Sequence, residues 1–132
     1  MKKVAFICIH NSCRSQMAEG LAKVLGKDVI EVYSAGTEKY EAVKPLAIKV
    51  MEEANIDISS HRPKLLSEIP KDVNILITMG CGVECPFIPC DYREDWGLTD
   101  PSGGPIEDFR ETRDIIKDKV IDLIERIKKG KL

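Results

Sequence analysis

Residues 4–14 read VAFICIHNSCR and run straight into SQMAEGLAKVLG at 15–26. Val4–Ile7 is an apolar run of strand length, and Met17, Leu21, Ala22 and Leu25 recur after it at helical spacing. The heptapeptide between them, CIHNSCR (8–14), is therefore a strand-to-helix turn carrying two thiols, an arginine, an asparagine and a serine. Such a turn points successive backbone N–H groups inward and joins them to a helix N-terminus, which makes an anion cradle. Cys8 then places its sulfur at the centre of the cradle. Arg14 adds a two-pronged donor for a tetrahedral oxyanion, and Ser15 offers a hydroxyl to the sulfur. These surroundings favour the thiolate, which is the form that attacks. The ATP-type phosphate loop G-x-x-x-x-G-K-[ST] is absent. If Cys8 were only a buried small hydrophobe ending a strand, the C-x5-R spacing and the following serine would have no role.

The pattern outward from this turn is an alternation. Lys3–Cys8 reads as the first strand and Arg14–Leu25 as the first helix. Val29–Ser34 reads as the second strand, closed by Ala35-Gly36, and Pro45–Ala54 as a second helix with proline in its first turn. Ser59–Ile69 is expected to hold a shorter helix, Val73–Met79 a third strand, and the residues before Trp96 a short fourth. Pro105 to about Lys129 closes the chain as a long helix with Ile106, Phe109, Ile116, Val120, Leu123 and Ile127 on its inner face. Strands alternating with helices predict a parallel α/β sheet covered on both faces, with the first strand central. In such sheets ligands sit beyond the carboxyl ends of the strands, where CIHNSCR falls.

Composition narrows the class further. The 132 residues are expected to form one domain, 1–132, and 43% of them are apolar. A net charge of −2 offers no basic field for nucleic acid, and no stretch approaches a membrane span. The N-terminal apolar stretch is too short for a secretory signal, so a cytoplasmic protein is expected. Five cysteines, at 8, 13, 81, 85 and 90, are an odd number in such a chain and argue against a static disulfide framework.

CIHNSCRSQMAEG resembles the signature of the low-molecular-weight tyrosine phosphatase superfamily, and within it that of the thioredoxin-coupled arsenate reductases. The resemblance extends over YSAG (33–36), IDIS (56–59), the cysteine segment 81–85 and WGLTDP (96–101). It implies a four-stranded parallel sheet flanked by helices on both faces. It also implies Cys8 as nucleophile, Arg14 as oxyanion binder and Asp100 as general acid, with His10, Asn11, Ser12, Cys13 and Ser15 supporting the loop. The family's potassium site corresponds to Asn11, Glu19 and Ser34 plus an aspartate, and Lys64 stands at the aspartate's position. An ammonium there is expected to pair with Glu19 and remove the need for the cation. No metal or other cofactor is expected.

TMGCGVECPFIPC (78–90) separates two activities that both begin with attack by Cys8. A reductase of this kind passes oxidation from Cys8 to Cys81 and on to Cys85, and a thioredoxin or glutaredoxin then reduces the pair. If the third strand lies beside the first, Cys81 emerges at the same sheet edge as Cys8, and Gly80 and Gly82 beside it would ease its movement. A phosphatase would hydrolyse a phosphocysteine with water and needs neither downstream thiol. Phosphatases of the superfamily also carry aromatics after the Asp-Pro pair. Here that place is Ser102-Gly103-Gly104, which suits a small oxyanion such as arsenate. A monomeric arsenate reductase is the preferred reading, with phosphotyrosine phosphatase as the alternative. Zinc held by Cys81, Cys85, Cys90 and His61 is a weaker reading, because a second close ligand pair is missing.

Overall fold

A computed structural model describes residues 1–80 and 88–132, so Cys81, Gly82 and Cys85 lie outside the described residues. The elements follow the expected alternation. They are β1 (Lys2–Cys8), α1 (Arg14–Leu25), β2 (Ile30–Gly36), α2 (Pro45–Glu53), a single 3-10 turn (Leu66–Glu68), β3 (Ile75–Thr78), β4 (Tyr92–Asp95) and α3 (Ile106–Lys128). The four strands form one parallel sheet in the order β2-β1-β3-β4. Strand β1 is central, pairing Cys8 with Gly36 on one side and Ile7 with Thr78 on the other. The strand order reverses at β1, which places the 8–14 loop at the switch point.

Alternation along β1 divides the core in two. Val4, Phe6 and Cys8 face a large cluster with Met17 and Leu21 of α1, Val50 and Met51 of α2, and Phe109, Ile116, Val120 and Leu123 of α3. Ala5 and Ile7 face a smaller cluster with Ile69, Val73 and Leu76, against which Leu66, Ile88 and Cys90 pack. The three long helices thus share one face, and the 3-10 turn with the chain around Ile88 helps cover the other. Trp96 is a core residue, tilted against Phe6 with ring centroids 5.6 Å apart.

Several boundaries differ from the sequence reading, each for a physical reason. Strand β2 does not close at Ser34 but runs through Ala35 and Gly36, because both pair with β1. A Cβ at Gly36 would stand 2.6 Å from the Ile9 carbonyl oxygen, so only glycine lets β2 pass beneath the loop. The helix expected in 59–69 shrinks to one 3-10 turn, because the backbone at Lys64 bonds elsewhere. Its N–H donates to Asn11 Oδ1, and its carbonyl accepts the Gly36 N–H. Helix α2 ends at Glu53, with Asn55 in the left-handed region just beyond. The β3 ladder is limited to Ile75–Thr78, although Val73 and Met79 on either side are buried. Leu25, expected on the inner face of α1, lies in the overhanging last turn and is 36% exposed. Among the described residues no helix is long and apolar enough to cross a membrane.

Candidate active site

The loop that leaves β1 is held inside out. Its carbonyls at Cys8, Ile9 and Ser12 accept the backbone N–H groups of Thr37, Glu38 and Lys44, and the Cys13 carbonyl accepts from Met17 in α1. The Asn11 carbonyl accepts from Gln16 Nε2. With these carbonyls engaged by neighbouring segments, the Asn11 N–H turns to the Cys8 sulfur in the hollow at the head of α1, whose first turn carries no acidic residue. Asn11 makes this possible by adopting φ 54°, a left-handed conformation that asparagine tolerates better than most residues.

Cys8 sits at the root of this hollow, 4% exposed. Its Sγ accepts the Asn11 backbone N–H at 3.1 Å and shares a hydrogen bond of 2.8 Å with Ser15 Oγ. Asn11 Nδ2 donates to Ser15 Oγ at 2.7 Å and to Ser34 Oγ at 2.9 Å, and so holds the serine that serves the sulfur. Ser12 is buried and contributes through its backbone. Cys13 is also buried, and burial is the main cause that pushes its thiol up to about 12. His10 faces outward, within 3.2 Å of Glu38 Oε2.

Arg14 is buried and braced from the far side of the sheet. Its Nη1 donates to the carbonyls of Met79 (3.1 Å) and Leu98 (2.8 Å), at the ends of the chain leaving β3 and β4. Neither bond uses Nη2, which stands 3.8 Å from Asp100 Oδ2. Asp100 Oδ1 accepts the Ser102 N–H, an aspartate turn that aims the carboxylate back toward the arginine. Burial acts to raise the Asp100 pKa, but the Ser102 hydrogen bonds, Arg14 and Lys44 outweigh it and hold the carboxyl below the usual range.

Beneath the loop lies a second set of charges. Glu19, with its side chain 4% exposed, accepts from Ser34 Oγ and stands 3.3 Å from Lys64 Nζ and 3.0 Å from Lys23 Nζ. Burial alone would raise its pKa, but Ser34 and the two ammonium groups reverse the direction and lower it. His61 Nδ1 meets Gln16 Oε1 at 3.0 Å and stands 3.3 Å from Glu19 Oε2, and burial outweighs that carboxylate and lowers the imidazole pKa. Thus Asn11, Ser15, Glu19, Ser34 and Lys64 form one connected network ending at the Cys8 sulfur.

Cys90 is half-buried against the smaller core cluster. The zinc reading and the thiol relay both depend on Cys81 and Cys85, which lie outside the described residues. Gly80, just before them, takes φ 82°, and a Cβ there would lie 2.4 Å from Gly97 Cα. Glycine at this position therefore serves a tight backbone crossing with Gly97. The sequence reading also does not single out Gln16, which fastens the loop, or Lys44, which does so through its backbone. Gln16 carries one faint signal, its place three positions before Glu19 on the polar side of α1. The carbonyls that brace Arg14 carry none, because any residue supplies one.

Comparison with known proteins agrees with this geometry. Residues 3–132 match the family described as low molecular weight phosphotyrosine protein phosphatase. A relative from Synechocystis, described as a glutaredoxin arsenate reductase, is 45% identical over 131 residues, covering 96% of this chain and 99% of that protein. A solved structure of an arsenate reductase in a phosphate-binding state superposes with a TM-score of 0.89 at 45% identity, covering 96% of this chain and 99% of the other. The thioredoxin-dependent arsenate reductase of Corynebacterium glutamicum superposes at 0.80 with 30% identity, covering 98% of this chain and 63% of that one. The chain belongs to the low molecular weight phosphotyrosine protein phosphatase family.

Proposed function

We propose that this protein reduces arsenate to arsenite by a thiol relay, working as a single cytoplasmic domain with a thioredoxin or glutaredoxin as its reductant. One observation carries the reading. The Cys8 sulfur lies at the root of an outward-fastened loop, accepting the Asn11 N–H and sharing a hydrogen bond with Ser15, with the braced Arg14 at the loop's end. Kinship with arsenate reductases of nearly the same length supports the choice of substrate.

In this mechanism the cradle's N–H groups and Arg14 bind arsenate, and the Cys8 thiolate attacks arsenic. An S–As bond forms as an As–O bond breaks, and Asp100 gives the departing oxygen a proton. Asp100 is held as a carboxylate in the free protein, so it must first take that proton up. An oxyanion arriving beside Arg14 competes for the guanidinium and repels the carboxylate, which makes protonation accompany binding. The Cys81 thiolate then attacks the Cys8 sulfur. The S–As bond breaks with its electron pair left on arsenic, so As(V) leaves as As(III) and a Cys8–Cys81 disulfide remains. Cys85 attacks Cys81 and frees Cys8, and the external dithiol reduces the Cys81–Cys85 pair.

The test is a single turnover without external thiol. Fully reduced protein is mixed with arsenate, quenched in acid and mapped by mass spectrometry. A disulfide located to the Cys81–Cys85 peptide, with Cys90 still a thiol, is the expected result. If all five thiols stay intact while an aryl phosphate is hydrolysed, the protein is a phosphatase carrying spare cysteines.

A further inference from the structure

Beside the nucleophile loop stands a lysine whose side chain has no part in the chemistry above. Lys44 is the residue just before α2, and its backbone N–H donates to the Ser12 carbonyl at 2.7 Å. Its position is therefore fixed to the nucleophile loop itself. Its side chain is half-buried, and Nζ donates to the Tyr40 hydroxyl at 2.6 Å while lying 4.7 Å from the centre of the Tyr40 ring. Tyr40 in turn packs on His10 of the loop, with ring centroids 4.8 Å apart at 35°. Among the described residues no carboxylate stands within ion-pair distance of this ammonium. Its charge nevertheless reaches both sides of the site, favouring the anionic forms of Asp100 and of Cys13.

A lysine whose partners are a neutral phenol and an aromatic face keeps its charge uncompensated. Here that charge is tethered to a loop built to receive an anion. Arg14 alone brings one positive charge to a tetrahedral oxyanion that is doubly ionised for much of the neutral range. The Tyr40 tether matters because it limits the freedom a lysine side chain would otherwise lose on binding.

We propose that Lys44 is a second cationic anchor for the oxyanion, with Tyr40 as the residue that positions its ammonium at the rim. This deepens the reading of the same site and rests on its ligand being a small tetrahedral oxyanion. The anchor acts on capture of the anion. It has no part in the later sulfur exchanges, so its loss falls on KM and leaves kcat.

Two assays test it on wild type, Lys44→Gln, Lys44→Arg and Tyr40→Phe. Inorganic phosphate is titrated for its protection of Cys8 against iodoacetamide, which gives a dissociation constant without turnover. Arsenate reduction with thioredoxin then gives KM and kcat. Lys44→Gln is expected to weaken phosphate about five- to tenfold and to raise KM by a similar factor, with kcat within about twofold. Lys44→Arg restores most of the affinity, Tyr40→Phe falls between, and the rate dependence on ionic strength flattens in Lys44→Gln. An unchanged phosphate constant in Lys44→Gln, a loss confined to kcat, or no rescue by arginine would overturn the anchor. Phosphate binding that depends on Lys44 in a protein inert to arsenate would uphold the anchor and reject the reductase reading alone.

Discussion

Cys8 and Cys13 lie in one loop, five residues apart, and are almost equally buried at 4% and 3% exposure. Their surroundings differ in kind. The Cys8 sulfur takes an N–H from Asn11 and shares a hydrogen bond with Ser15. Both border the large apolar cluster, but the Cys13 thiol is driven up to about 12, first by burial and then by the nearby charges of Asp100 and Cys8. Reactivity at this loop is therefore set by donors aimed at a sulfur, with exposure a poor guide. The pair also explains why a turn would hold two thiols: one is a nucleophile by position, and the other fills space where ionisation is suppressed.

The contrast breaks most sharply by removing each thiol in turn. Cys8→Ser is expected to lower arsenate turnover by at least about 10⁴-fold, while Cys13→Ala keeps it within about threefold. Iodoacetamide labelling at neutral pH should mark the first site and spare the second; equal labelling would end the distinction. Arg14→Lys is next in size. It loses the planar fork and the two carbonyl braces on Nη1, and a fall in kcat/KM of about 10²–10³ is expected. Ser15→Ala removes one donor from the Cys8 sulfur and leaves the other, so about tenfold slower alkylation of Cys8 is expected.

The smallest expected effect tests the charges beneath the loop. Glu19 has a lowered pKa in the fold, so its stabilisation is fully present above the ordinary carboxylate value near ~4.3. That stabilisation is lost as pH falls through the folded value. Lys64→Met removes one of the two ammonium groups and should cost about 1–2 kcal/mol at pH 7. The deficit should shrink toward zero in acid, where Glu19 is protonated with or without its lysine. Melting temperatures across that range give the answer, and a deficit independent of pH would mean Lys64 acts by packing. The ammonium already beside Glu19 also predicts that exchanging sodium for potassium changes turnover less than about twofold, with a large potassium stimulation as the opposing result.

Much of this architecture is legible in the amino-acid sequence. The alternation of apolar runs and helical spacing places the strands and long helices within a few residues, because both periods are local properties of the chain. The same is true of the nucleophile loop, where Cys8, Asn11, Arg14 and Ser15 are nearly consecutive. What escapes are bonds made by backbone groups, which no side chain announces. Lys64 gives its N–H to Asn11 and its carbonyl to Gly36, and this cancels the helix expected around it. The two carbonyls that brace Arg14 are equally silent in sequence. Lys44 is hidden for another reason: its significance comes from Tyr40 and the loop, and lysines before a helix are common.

Arg14 is held by carbonyls 65 and 84 residues further along the chain. On a ribosome the first helix is made before either carbonyl, so a growing chain carries its first thiol while the guanidinium is still unbraced. Long-range strand pairing is the slow part of folding a sheet like this one. The bracing of the arginine must wait for it, and so must the competence to react with an oxyanion. The braced guanidinium is thereby a late product, available only once Leu98 has been made and the chain leaving β3 and β4 has docked beside β1.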